Sequence, residues 1–153
     1  MKWVSGDIWI YWKLGSIIVI PTNAGWKSDG SNVMGRGLAK QSSEKFKNLN
    51  FEYGWKCQEL QPYQYFEDYR LILVPSKKLN EKQPWLSWQH EADQETIRNS
   101  LVWLQQNVKS FQIEKIYVPI LGSGNGNMQK GLVQEIMDNI LIDPKFIGVN
   151  YDY

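Results

Sequence analysis

Two glycine-bearing segments constrain this chain more than any other feature: 29–39 (DGSNVMGRGLA) and 119–127 (PILGSGNGN). Each follows a short apolar run with the character of a buried strand, 17–20 and 116–120, and each leads into residues with helical periodicity. Strand, glycine loop and helix in that order make an anion site. The backbone N–H groups at a helix start lack partners inside the helix and together carry roughly +0.5 charge, and a loop without Cβ atoms lets a phosphate come close to them. Gly122, Gly124 and Gly126 give G-x-G-x-G, which departs from the dinucleotide fingerprint G-x-G-x-x-G and has no Lys-Ser/Thr ending of the P-loop kind. Taken singly, that loop is equally readable as a tight turn.

The rest of the chain alternates short β-rich runs with helical ones. Residues 4–11 are β-rich with a break at Ser5-Gly6-Asp7, and 17–20, 69–74, 116–120 and 146–149 have the branched and aromatic content of strands buried on both faces. Ile97, Leu101, Leu104 and Val108 lie on one helix face, and Leu132, Ile136 and Ile140 on another. A shorter helix carrying Leu38, Ser42 and Phe46 starts behind Gly35 and Gly37. Residues 80–90, with Pro84, Trp85 and Trp88, read as an irregular loop, and its tryptophans could stack on a base or cover the core edge.

At 153 residues with 42% hydrophobic content, the chain suits one compact domain spanning 1–153. A formal net charge of +1 excludes a polynucleotide grip by counterion release over the whole surface and leaves room only for a focal nucleic-acid contact. One cysteine, Cys57, cannot form an internal disulfide, and no apolar run approaches 18 residues, so a soluble cytoplasmic protein without a membrane partner is expected. With one histidine, His90, neither a metal centre nor a histidine-based triad is expected.

In order and approximate spacing, four segments resemble the macro domain family of ADP-ribose-binding modules: Gly6-Asp7-Ile8, Ile20-Pro21-Thr22-Asn23, 33–39 and 119–126. Within that family the chain is similar to the branch of small proteins that hydrolyse ADP-ribosyl linkages or ADP-ribose 1″-phosphate. The resemblance implies an α/β fold, a three-layer α/β/α macro domain with a mixed central sheet, and a ligand cleft at the carboxyl ends of its strands. It implies ADP-ribose or an ADP-ribosylated substrate as partner, and no cofactor or metal. Asp7, beside Ile8, would accept from the adenine amino group; otherwise it is a turn or N-cap aspartate. Thr22 would be among the ligand-binding residues and Asn23 would face the distal ribose, with Asn23 otherwise a turn-former after Pro21. Met34, Gly35, Arg36 and Gly37 would close one loop over the diphosphate, with Arg36 itself a solvated charge. Leu121, Gly122, Ser123, Gly124, Asn125 and Gly126 would wrap it from the other side, and Tyr151 would lie against the adenine or its ribose, or fray.

Lys77, in Val74-Pro75-Ser76-Lys77-Lys78, resembles the strand-end lysine with which one hydrolase branch acts at the anomeric carbon of the distal ribose. A lysine of ordinary pKa, about 10.4, is neutral in roughly one molecule per thousand at pH 7.4. A nucleophilic Lys77 therefore needs its pKa depressed, by desolvation or by the neighbouring Lys78. Asn23 and Ser76 are the polar groups to orient a water or leaving group. Where one enzyme of that branch has an assisting aspartate, this chain has Gly126. Lys77 as half of a solvated pair with Lys78, in a non-catalytic module that reads or sequesters ADP-ribose, is the alternative.

Overall fold

The computed structural model describes residues 1–122 and 128–151. In chain order its elements are β1 (Lys2–Ser5), α1 (Ile8–Lys13), β2 (Ile17–Asn23), α2 (Gly37–Lys45), α3 (Leu49–Gln58), β3 (Gln64–Phe66), β4 (Leu71–Lys77), α4 (Gln94–Asn107), β5 (Ile116–Pro119), α5 (Lys130–Ile140) and β6 (Phe146–Asn150). The six strands form one sheet in the order β1-β6-β5-β2-β4-β3, parallel throughout except for the antiparallel edge strand β3. The sheet is therefore mixed, as expected.

Strand periodicity divides the core into two layers. Side chains alternate across a strand, so Ile17, Val19, Ile72, Val74, Ile116 and Val118 face one side, where α4 and α5 cover them. Ile18, Ile20, Leu71, Leu73, Tyr117 and Ile147 face the other, under α1, α2 and α3. Both faces are buried, which is why these strands read as unbroken apolar runs.

Several elements differ from the sequence reading. The β-rich stretch 4–11 splits, with β1 ending at Ser5 and α1 starting at Ile8 after Asp7, whose Oδ1 accepts from the Trp9 N–H at 3.0 Å. Tyr69 lies in a short 3-10 turn, and the strand begins at Leu71. Phe46 closes α2 rather than continuing it. In α5 the buried residues are Val133, Ile136 and Met137, with Ile140 packed against them, while Leu132 is 40% exposed. The 80–90 stretch contains a 3-10 segment, Pro84–Gln89.

This rotation of α5 makes a direct test. Met137→Ala is expected to destabilise the protein by about 2–5 kcal/mol through loss of packing and a residual cavity. Leu132→Ala should cost less than about 1 kcal/mol. Urea unfolding of the two variants measures both, and equal losses would return Leu132 to the core.

Candidate functional site

β2 pairs with β5 only through Ile17↔Ile116 and Ile18↔Tyr117. Past that point β2 stays with β4, and β5 stays with β6. A parallel sheet whose neighbours part in this way opens a crevice at the carboxyl ends of its strands. The crevice here is a cleft of ≈ 900 Å³, large enough for a dinucleotide-sized ligand. Asp7 and Ile8 after β1, Thr22 and Asn23 of β2, Ser76 and Lys77 of β4, Gly122 beyond β5, and Tyr151 beyond β6 all line it. Gly35, Arg36 and Gly37 form a second wall, and 88–91 a third.

At the end of β2, Thr22 Oγ1 lies 2.7 Å from the Tyr53 hydroxyl, which itself donates to the Pro62 carbonyl at 2.7 Å. A phenol has one hydrogen, so Thr22 is the donor in that pair and its hydroxyl proton is committed to the α3 layer. Burial holds the Tyr53 hydroxyl well above its ordinary pKa, so it stays neutral. Asn23 donates from Nδ2 to the Val33 carbonyl at 2.9 Å, and its Oδ1 accepts from the Gly25 N–H at 2.9 Å and from Asn32 Nδ2 at 3.1 Å. These bonds fold the chain after β2 back on itself. Gly25 is required there, since a Cβ at that position would lie 2.0 Å from the Pro84 carbonyl oxygen and 2.6 Å from Ser87 Oγ.

The register between β2 and β4 shifts after Thr22↔Pro75, so that Asn23 stands opposite Lys77. Lys77 Nζ donates to the Trp88 carbonyl at 3.0 Å. Burial lowers its pKa, and repulsion from the Arg36 guanidinium lowers it further. The sequence reading named Lys78 as the charged neighbour, but Lys78 turns away to Asp93, at 4.0 Å. Arg36 is exposed as expected, yet it stands on the cleft wall and acts on Lys77. Cys57 is no competing nucleophile, since burial pushes its thiol up to about 12.

Asp7 is the N-cap of α1, which was the plainer of its two readings. That bond uses Oδ1, so the second oxygen of a carboxylate that lines the cleft can accept from a ligand. Gly37 at the start of α2 has φ +57, and Gly122 has φ +75 with Ala92 Cβ 2.5 Å from where its own Cβ would be. Both backbone conformations favour glycine, although Leu60 at φ +59 and Arg70 at φ +53 share that region, and at Gly122 the Ala92 contact excludes a Cβ as well. Met34 and Leu121 do not line the cleft: their side chains are buried in the two core layers. Tyr151 is 45% exposed at the rim, with its carbonyl 3.5 Å from Lys130 Nζ. Ser123, Gly124, Asn125 and Gly126 lie outside the described residues.

The wall from Trp88 to Glu91, and the cleft-lining Gln41 and Lys130, were not among the sequence-derived site residues. Trp88, flagged as either a base-stacking or a core-covering residue, is 37% exposed on the cleft wall. What places this wall is the fully buried Ser87, whose Oγ accepts from the Asn80 N–H at 2.9 Å, and its contact with Gly25. Among the described residues no group of acidic, cysteine or histidine side chains could hold a metal, and no helix is long and apolar enough to cross a membrane.

No protein-family model and no curated protein matches this chain. Solved structures do. The macrodomain of Mycobacterium tuberculosis DarG superposes with a TM-score of 0.73 at 21% identity, over 99% of this chain and 97% of that one. The macrodomain of Thermus aquaticus DarG gives 0.71, also at 21% identity and with the same coverage. Thermosipho africanus DarTG, solved in complex with ADP-ribose, gives 0.74 at 18% identity over 99% of this chain, which spans 42% of the DarTG chain. The fold is that of a macro domain.

The two causes acting on Lys77 can be separated. In competitive labelling with an acylating reagent, the Lys77 amine is expected to become reactive at lower pH than a free lysine side chain. Arg36→Gln should move that midpoint upward without restoring the ordinary value, because burial is the larger cause. A midpoint equal to that of a free lysine side chain would place Lys77 in solvent.

Proposed function

We propose that residues 1–153 act as one macro domain whose cleft binds ADP-ribose, and that Lys77 hydrolyses a bond at the distal ribose. The substrate is an ADP-ribosyl adduct on nucleic acid or protein, the former met by a focal contact, or ADP-ribose 1″-phosphate. Support comes foremost from one observation: a lysine of lowered pKa stands opposite Asn23 at the strand ends, in a fold shared with a protein solved in complex with ADP-ribose. The lone, buried Cys57 suits a reducing cytoplasm.

In this reading Asp7 accepts from the adenine amino group. The backbone N–H groups of 35–37, at the start of α2, take the diphosphate, and Arg36 adds positive charge beside it. Asn23 contacts the distal ribose, whose anomeric carbon then lies near Lys77. The neutral amine attacks C1″, so that the C1″–Nζ bond forms as the bond to the leaving group breaks, and the leaving group takes the amine's proton. Water then cleaves C1″–Nζ, releasing ADP-ribose and restoring the amine. The bond from Nζ to the Trp88 carbonyl does not block this, since a neutral amine donates there and keeps its lone pair. That same bond favours the second reading, a non-catalytic module in which Lys77 remains a charged donor that attracts the ligand and does no chemistry.

Purified protein incubated with ADP-ribose 1″-phosphate, ADP-ribosylated DNA and ADP-ribosylated protein separates the readings. Turnover of one substrate identifies an enzyme, and binding without turnover identifies a reader. Lys77→Ala is expected to leave ADP-ribose affinity within about tenfold, or ~1.4 kcal/mol. It should lower turnover by a factor on the order of a hundred or more. Wild-type rate should rise with pH and level off above the lowered Lys77 pKa, because only the neutral form attacks. Lys77→Arg, charged throughout, should be inactive. Full activity in either variant removes Lys77 from the mechanism.

Adenine recognition has its own test. A carboxylate accepts from an amino group and repels the carbonyl that replaces it in IDP-ribose, so IDP-ribose should bind about 1–3 kcal/mol more weakly. Asp7→Asn keeps an oxygen to cap α1 and offers an amide N–H, and calorimetry should show the preference narrowed or reversed. Equal affinities in the unmutated protein would leave Asp7 as a cap alone.

A further inference from the structure

Asn32 is 1% exposed, and its Nδ2 faces three acceptors: the Asn23 carbonyl at 3.0 Å, Asn23 Oδ1 at 3.1 Å and the Gly25 carbonyl at 2.8 Å. An amide nitrogen has two hydrogens, so one of them is shared. Turning the amide over would set its oxygen against three other oxygens, which fixes its orientation. Asn32 Oδ1 is buried with no hydrogen-bond partner, an arrangement that costs free energy and calls for a reason.

The reason lies in what Asn32 does to Asn23. With donors from Gly25 and Asn32 on it, Asn23 Oδ1 has both lone pairs engaged. One Nδ2 hydrogen goes to Val33, and the other has no partner among the described residues. Since Asn23 lines the cleft, that hydrogen is the one polar contact its side chain has left to offer.

We propose that Asn32 is a positioning residue that makes Asn23 a one-hydrogen donor to the distal ribose, and that Asn23 accepts nothing from the ligand or from water. This rests on the ADP-ribose reading above. Its consequence for specificity is that the atom facing Asn23 must be an acceptor, a ribose hydroxyl or ring oxygen. A water near Asn23 is oriented by a hydrogen bond to its oxygen, with its protons pointing elsewhere. Asn23→Asp, though similar in shape, would place a carboxylate oxygen against the Val33 carbonyl and offer the ligand no donor.

Calorimetry with ADP-ribose and with ADP, which lacks the distal ribose, tests the proposal in the wild type, Asn32→Ser, Asn23→Ala and the double variant. Asn32→Ser should weaken ADP-ribose binding by about tenfold and ADP binding by less than about twofold, and should add less than about twofold to the loss in Asn23→Ala. Equal losses on both ligands, or an undiminished effect in the Asn23→Ala background, would reduce Asn32 to a loop-holding residue and overturn the proposal. Hydrogen exchange of side-chain amides, followed by NMR on the unliganded wild type, needs neither variant nor ligand. One Asn23 amide hydrogen should be protected and the other fast. Equal rates overturn the inference even if ADP-ribose binds, whereas a failure to bind ADP-ribose with unequal rates would count against the ligand and leave the fixed orientation standing.

Discussion

The cleft exists because β2 and β5 hydrogen-bond over only two residue pairs before they part. Parting leaves backbone acceptors at the end of β2 without a strand beside them, and buried carbonyls must find donors elsewhere. Asn32 supplies them: its Nδ2 serves the carbonyls of Asn23 and Gly25 in place of a neighbouring strand. The same substitution recurs at the end of β4, whose partner β3 reaches only Leu73. There Ser100 Oγ donates to the Pro75 carbonyl at 2.6 Å and the Asp93 N–H to the Ser76 carbonyl at 2.9 Å. Side chains and loop amides thus hold the two strand ends that carry Asn23 and Lys77, and they hold them without closing the crevice.

Electrostatics at these ends are local. A net charge of +1 gives the chain little overall field to draw in an anionic ligand from a distance, but Arg36 and Lys77 line the same cleft, and repulsion from the Arg36 guanidinium lowers the Lys77 pKa. An anion between them would relieve that repulsion, and a bound diphosphate would therefore raise the Lys77 pKa while the ligand stays. Desolvation acts in the opposite direction. Catalysis by a neutral amine needs the desolvation to prevail, whereas a reader does not, so the balance between these two effects is the physical difference between the proposed enzyme and its alternative.

Sequence patterns made the sheet legible where burial on both faces leaves one reading, as at 17–20, 116–120 and 146–149. They failed where apolar density hides the period. IWIYWK is a six-residue helix whose residues are nearly all branched or aromatic, and only its cap, Asp7, marks it. In α5 a spacing of four selected Leu132 with Ile136, although Val133 and Met137 fit the same helix and are the residues buried. α3 was not anticipated, since Gly54 interrupts its pattern, and Gly54 is there because a Cβ would lie 2.0 Å from the Gly30 carbonyl. For the cleft, the first glycine loop pointed to Gly35 and Gly37 and the macro-domain resemblance to Asp7, Asn23 and Lys77, and all five line it. The Trp88 wall escaped because what places it is contact between segments far apart in the chain, Gly25 with Ser87 above all, whereas Asn32 escaped because its bonds to Asn23 and Gly25, seven to nine residues back, come from an irregular loop that no helix or strand period marks.

The central claim is that ADP-ribose occupies the crevice between the parted strands, and an NMR titration of labelled protein with ADP-ribose addresses it most directly. Saturable shifts are expected at the amides of Gly6, Asp7, Asn23, Gly35, Gly37 and Lys77, with Leu101 and Val133 in the opposite layer unmoved. Absence of saturable shifts at millimolar ligand, or shifts confined to the acidic hollow lined by Glu52, Glu67 and Asp68, would contradict it.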